Sequence, residues 1–295
     1  MMRNAFDRVL LLSRVPAFAG LLPDDLASLA HRASERRMGP REAWGDPEGA
    51  DVGLVHEGSI EIGPEHRPAA APALVGALEA FAGVELVARG GPGGARVSAV
   101  ARADLEGVMT DVYEVWIAML RYAAGRWHDA EPVVADAPRV VRPSRREDPA
   151  SIVTRILLLS ESDPFRKLST LTVARVAHAA EELRLDPGQA LWEEGDASEA
   201  SYFVLGGTFR VDGSDEATDP GGPGATLGVR EALAGRPRAD RVTASSKARV
   251  LRVANDVLID ELEDDPDAAV ALLASIASRA LRAEDDRCGR GEEGP

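Results

Sequence analysis

Apolar positions recur at helical spacing at the start and end of each half of the chain, with short strand-like runs between. Leu26, Leu29, Ala30 and Ala33 share one helical face after an acidic first turn, Pro23-Asp24-Asp25. Val173, Val176, Ala177 and Ala180 repeat that face in the second half. The closing stretches carry longer stripes: Val112, Val115, Trp116, Met119, Leu120, Ala123 and Trp127, then Ala269, Leu272, Leu273, Ile276, Ala280 and Leu281. Between these helices the pattern breaks into runs bounded by Gly, Pro and Asp, which predict strands. They are 53–56, 59–62 and 96–101 in the first half, and 190–193, 202–205, 208–211 and 249–253 in the second.

The two halves are related. Residues 8–31 (RVLLLSRVPAFAGLLPDDLASLAH) superpose without a gap on 155–178 (RILLLSESDPFRKLSTLTVARVAH). Arg8 falls on Arg155, Phe18 on Phe165 and His31 on His178, so a whole domain is duplicated. The expected fold is mainly β with flanking helices, two tandem jelly rolls. The expected boundaries are 1–130, a Pro- and charge-rich linker at 131–150, a second domain at 151–285 and a disordered tail at 286–295.

Charge narrows the function classes. A formal net charge of −15 over 295 residues argues against a nucleic-acid surface, which needs clustered Lys and Arg. With about a dozen residues after the last predicted helix, a helix-turn-helix module is not expected. The single cysteine, Cys288, excludes an internal disulfide and suits a reducing compartment. The apolar run near the N-terminus recurs inside the chain at 156–168, so it reads as a domain element rather than a secretory signal. No stretch reaches the roughly 20 apolar residues of a membrane span. A cytoplasmic protein is expected, with no membrane or nucleic-acid partner.

The second half resembles the cyclic nucleotide-binding domain family over about 155–283. Pro187-Gly188, then Glu194-Gly195-Asp196, then the strand–glycine–strand step from Tyr202 to Val211 are similar to its pattern, as are Gly224-Ala225-Thr226-Leu227-Gly228 and Pro237-Arg238-Ala239. The first half matches through Val55 to Ile62 and Val75-Gly76. Gly58 and Gly207 are expected to supply a positive φ in a tight turn between paired strands.

The family's cassette holds a cyclic phosphate on free backbone N–H groups and an arginine, and the ribose on a glutamate. The resemblance therefore implies a second-domain site of Gly228, Val229, Arg230, Glu231, Ala232, Arg238 and Ala239, with cyclic AMP or cyclic GMP as ligand. Arg238 stands at the phosphate-arginine position, but Val229 stands where the ribose glutamate belongs. Glu231 lies two residues on, a rotation of about 200° around a helix. The first-domain equivalents, Gly76, Ala77 and Glu79, belong to a copy with Gly93 opposite Arg238, leaving Arg89 or Arg96 to supply a cation.

Both copies read G-x-x-E-A-x-A-G, and the shared glutamate has alternative readings. It is a first-turn residue favoured by the helix dipole and paired with Arg230 or Arg236, or a displaced ligand contact. As a further alternative, its carboxylate occupies the anion site itself.

Other chemistry finds little support. There is no H-x-H pair, and His31 and His178 sit late in helices where the dipole favours them, so no metal site is expected. Gly90-Gly91-Pro92-Gly93-Gly94 and Gly221-Gly222-Pro223-Gly224 lack the phosphate-loop pattern and read as loops. No catalytic nucleophile stands out. Trp116 and Trp127 read as core, with Arg121 and Arg126 as their solvated flank.

The resulting expectation is a non-catalytic cytoplasmic regulatory or sensory protein. Its second domain binds a cyclic nucleotide and signals through the C-terminal helix, toward a protein partner or a second copy. The alternative is an interaction scaffold that kept the fold and lost the ligand.

Overall fold

The computed structural model describes residues 5–44, 51–130, 149–212 and 222–291. Residues 131–148 of the expected linker, Gly221 of the second glycine stretch and residues 292–295 of the expected tail lie outside the described residues. Contacts divide the chain into two compact units, Met1–Tyr122 and Ala123–Pro295.

In the first unit, α1 (Ala5–Leu12) and α2 (Pro23–Arg32) precede the strands β1 (Ser34–Met38), β2 (Asp51–Ile62), β3 (Arg67–Ala70) and β4 (Ala73–Val75). A short helix α3 (Ala77–Ala82), the strand β5 (Ala88–Ala101) and the helix α4 (Arg102–Asp111) follow, and α5 (Tyr113–Ala130) begins in this unit and has its residues from Ala123 onward in the second. The sheet is antiparallel in the order β1-β5-β2-β3, with β4 also on β2. Its core contains Trp44, Val55, Ile60, Val75 and Val97.

The second unit repeats the plan. It runs through α6 (Ile152–Glu161), α7 (Thr170–Ala179), β6 (Glu181–Leu185), β7 (Ala190–Trp192), β8 (Ala200–Gly206), β9 (Phe209–Asp212) and β10 (Thr226–Leu227). It closes with α8 (Val229–Ala234), β11 (Arg241–Ala244), β12 (Ala248–Ala254), α9 (Asn255–Glu263) and α10 (Pro266–Gly291). Its sheets are antiparallel in the orders β10-β8-β12-β6 and β7-β11-β9, and Val204, Phe209, Val211, Val242 and Val250 fill the space between them. The expected β-rich fold with flanking helices is the one observed.

The duplicated segment has a physical basis. Arg8 Nη1 donates to the carbonyls of Ala30 and Ala33 at 3.3 and 2.9 Å, and Arg155 Nη1 donates to that of Ala180 at 2.7 Å. In each copy one arginine thus satisfies carbonyls left open where α2 or α7 ends. Phe18 and Phe165 are both 1% exposed, and Phe165 meets Phe203 edge-on with centroids 5.2 Å apart. His31 and His178 lie in the last turns of α2 and α7, as the dipole argument expects.

The glycines depart from the sequence reading. Gly58 and Gly207 do have positive φ, 76° and 84°, but neither sits in a hairpin turn. Gly58 lies inside β2, and Gly207 joins β8 to β9, which belong to different sheets. A Cβ on Gly207 would lie 2.6 Å from Ala248 Cα, so glycine is required by close backbone approach as well as by φ.

The stretch 90–94, expected as a loop, lies within β5. Gly58 pairs with Ala95 and Ile60 with Gly90, so residues 91–94 bulge opposite Ser59. Cβ atoms on Gly90 and Gly94 would strike the carbonyls of Gly39 and Met38. Glycine there lets strands approach rather than loosening a loop.

Helix α10 also exceeds its expected end. Instead of a disordered tail from 286, the helix continues to Gly291, and Arg287 Nη1 donates to the Asp129 carbonyl at 2.9 Å. At its start, Asp265 Oδ1 accepts from Ala268 N at 3.1 Å just before Pro266, an N-cap followed by an N1 proline. The Thr172 hydroxyl, 2.6 Å from its carboxylate, holds the Asp265 carboxyl below the usual range. Among the described residues no helix is long and apolar enough to cross a membrane.

Candidate functional site

The pattern G-x-x-E-A-x-A-G builds the same short helix twice. Gly76 (φ 79°) and Gly83 (φ 71°) bracket α3, and Gly228 (φ 72°) and Gly235 (φ 65°) bracket α8, all four in the left-handed region. Glu79 and Glu231 each lie in the first turn. Each also lends its main-chain carbonyl to the chain leaving the helix, accepting from Val84 N at 2.9 Å and Arg236 N at 3.0 Å.

In the second unit the expected residues converge around α8, though not as a nucleotide site requires. Val229, at the ribose-glutamate position, is 4% exposed and packs in the interior, and Ala232 is buried beside it. Ala239 is exposed. Arg238 is 3% exposed. Its Nη1 donates to the Gly228 carbonyl at 2.8 Å and its Nη2 to the Ala200 carbonyl, while its Cζ lies 4.3 Å from the centroid of Trp192.

The main chain fixes the arginine as firmly. Gly195 N donates to the Arg238 carbonyl and Arg238 N to the Asp196 carbonyl, both at 2.9 Å. The Glu194-Gly195-Asp196 turn thus holds the arginine's backbone, and Trp192 anchors its own ring through Nε1 to the Asp240 carbonyl at 2.8 Å.

Glu231 is 5% exposed and sits among cations. Its Oε1 lies 3.4 Å from Arg230 Nη2 and 3.4 Å from His128 Nδ1, and its Oε2 lies 3.9 Å from Arg238 Nη1. Burial pushes this carboxyl up, but contact with His128 and the Arg230 charge outweigh it and hold the carboxyl below its usual range. Burial costs Arg238 more than Glu231 returns at 3.9 Å, so its guanidinium is pushed down while staying cationic. Burial, then Glu231 and Glu194, push the Asp240 carboxyl up. The expected local pair with Arg230 is present, whereas Arg236 binds Asp129 at 2.7 Å.

The division by contacts falls inside α5, after Tyr122, rather than in the linker expected at 131–150. Trp127 is 6% exposed, with Arg230 Cζ 5.9 Å and Arg279 Cζ 5.1 Å from its ring centroid. Arg126 Nη2 reaches Glu284 at 2.7 Å, so it is more than a solvated flank. Sequence reasoning missed His128, Trp127 and Trp192 as neighbours of the cassette. The available signal was the Arg-Trp-His-Asp run at the helix end, whose alternating chemistry exceeds what a core stripe needs. Trp116 does serve as core in the first unit, stacked on Tyr113 at 4.9 Å.

In the first unit Ala77 is buried and Glu79 half-buried. The candidate cations are engaged on the sheet: Arg89 with Glu61 at 2.7 Å, and Arg96 with Glu35 and with Glu57 at 3.1 Å.

Residues 182–265 match the family model of the cyclic nucleotide-binding domain. Over 136 residues the chain is 26% identical to a lysophospholipase of Chaetomium globosum, covering 44% of this chain and 9% of that protein. It thus spans about a tenth of the length of that curated relative. Among solved structures it is similar to a regulatory subunit of a cAMP-independent protein kinase A from Trypanosoma brucei, at 15% identity and TM-score 0.35 over 100% of this chain and 94% of that one. It is also similar to the N-terminal domain of a transcriptional regulator from Streptomyces coelicolor, at 25% identity and TM-score 0.39 over 43% of this chain and 95% of that one.

Proposed function

We propose that this chain, whose residues 182–265 match the cyclic nucleotide-binding domain family, is a non-catalytic regulatory module whose second cassette is neutralised from within and takes no cyclic nucleotide. One observation carries the reading. The Arg238 guanidinium, which a phosphate needs, is 3% exposed and already bound to two carbonyls, with the Glu231 carboxylate 3.9 Å away. A cyclic phosphate entering here displaces those partners and meets a like charge in a low-dielectric site. Val229, buried in the interior, stands where the family offers the ribose a carboxylate, so the contact that recognises the sugar is missing as well.

On this reading the module acts through surfaces rather than through a diffusible ligand, and the C-terminal helix is part of that framework. The activity in the curated relative's name is not carried over to a chain that spans 9% of its length. Calorimetric titration of the whole chain with cyclic AMP and cyclic GMP tests the reading. No saturable binding is expected below about 1 mM, a level corresponding to about −4 kcal/mol. Saturation in the micromolar range by either nucleotide overturns it.

A further inference from the structure

We infer that the remodelled cassette is a peptide-recognition site, and that its occupant is this chain's own helix end, Arg126-Trp127-His128-Asp129. The inference rests on the preceding reading in one respect: Arg230 and Glu231, which would otherwise border a nucleotide, meet the helix instead.

Each of the four side chains has its own complementary partner in the second unit. The Trp127 ring meets two guanidinium groups, with Arg230 Cζ 5.9 Å and Arg279 Cζ 5.1 Å from its centroid. His128 Nδ1 faces the buried Glu231 carboxylate at 3.4 Å. Arg126 reaches Glu284 at 2.7 Å, and Asp129 takes Arg236 at 2.7 Å through one carboxylate oxygen and 3.3 Å through the other. Arg287 adds a bond to the Asp129 carbonyl at 2.9 Å, at the helix end where carbonyls lack intrahelical partners.

The receiving face is itself ordered. Asp163 holds Arg279 at 2.7 Å, and Glu231 fixes Arg230. The alternation of positive, aromatic, imidazole and negative groups along the segment is matched by negative, cationic, carboxylate and positive groups opposite. An aromatic anchor in a desolvated setting, rimmed by charge pairs, is how short peptides are recognised. The ligand class is therefore a helix end bearing Trp-His with a basic residue before and an acidic residue after. The chain's connectivity holds its own copy at high effective concentration.

Anisotropy of a labelled peptide spanning residues 113–130 tests this with the whole chain. In wild type the tethered segment competes, so the added peptide binds weakly. In the full-length double variant Trp127→Ala/His128→Ala the tethered segment loses its two central anchors and competes less, and the peptide binds at least about tenfold more tightly. Adding Arg230→Ala to that variant removes the gain, and a peptide carrying the same two alanines gives none. If circular dichroism shows that the double variant is misfolded, Asp129→Lys, which sets the exposed end of the segment against Arg236, provides the same comparison.

Equal binding to wild type and variant, binding to neither, or equal binding of the substituted peptide overturns the inference. The nucleotide titration stands apart from these outcomes. Nucleotide saturation of wild type with the peptide gain intact sinks the reading of the pocket alone. Absence of both sinks the peptide site alone.

Discussion

Replacing Glu231 with alanine destabilises the second unit by about 3 kcal/mol, the low end of the cost of breaking a buried ion pair. The carboxylate is the anion shared by Arg230, Arg238 and His128, and all of these save His128 are less than a tenth exposed. Removing it leaves two guanidinium charges in the interior. Arg238 keeps its carbonyl partners, which places the cost at the low end of the range. Urea unfolding followed by tryptophan fluorescence checks this, with the first unit's transition serving as an internal reference because the chain holds two compact units.

Two further results separate charge from packing. In Glu231→Leu/Arg238→Met the loss is smaller than the sum of the single changes, since the paired removal strands the Arg230 guanidinium alone rather than both arginines. The stabilisation also depends on pH with a defined sign. The folded-state pKa of Glu231 is depressed, so the contribution is fully present above the unfolded-state value of about 4.3 and is lost as pH falls through the folded one.

Gly228→Ala costs a similar amount, about 3 kcal/mol, by a different route. The residue has φ 72°, where a Cβ costs about 1–2 kcal/mol. That Cβ would also strike Arg238 Nη1, lie 2.9 Å from its Cζ and sit 3.2 Å from Trp192 Cη2. The guanidinium must leave the Gly228 carbonyl, and a charged hydrogen bond is worth about 1.5–3 kcal/mol. Gly83→Ala is the control. It has φ 71° and open space where the Cβ would be, so it carries the backbone cost alone. Gly228→Ala additionally changes Trp192 emission, because the cation stacked on that ring moves. An equal cost for the two variants, with Trp192 emission unchanged, contradicts the placement of Arg238 against Gly228.

Local periodicity made much of the fold legible. The opening helices, the duplicated arginines and phenylalanines, and the strands around Val204 and Val250 follow from spacing that any core imposes. The glycines misled because the sequence shows that a residue lacks a Cβ, but not why. Gly207 serves a crossing between sheets, and Gly90 and Gly94 serve a bulge beside another strand, yet each reads as a turn or loop.

The candidate site was legible only on its own segment. Arg238, the absence of a glutamate at 229 and the shared Glu231 are visible along the chain. Their meaning depends on His128 and Trp127, which are remote in sequence, and on Trp192, which lies beneath the Arg238 guanidinium. Long-range pairing of this kind leaves no periodic trace.

The central claim is that Glu231 is a permanent internal counter-anion of the second cassette. The most direct test is a carbon-detected NMR titration of the Glu231 carboxyl in the whole chain, with and without millimolar cyclic AMP. The expected result is a carboxyl that stays ionised to below the ordinary glutamate range, with a titration unmoved by the nucleotide. A carboxyl titrating at or above that range, or one whose titration shifts when cyclic AMP is added, contradicts it.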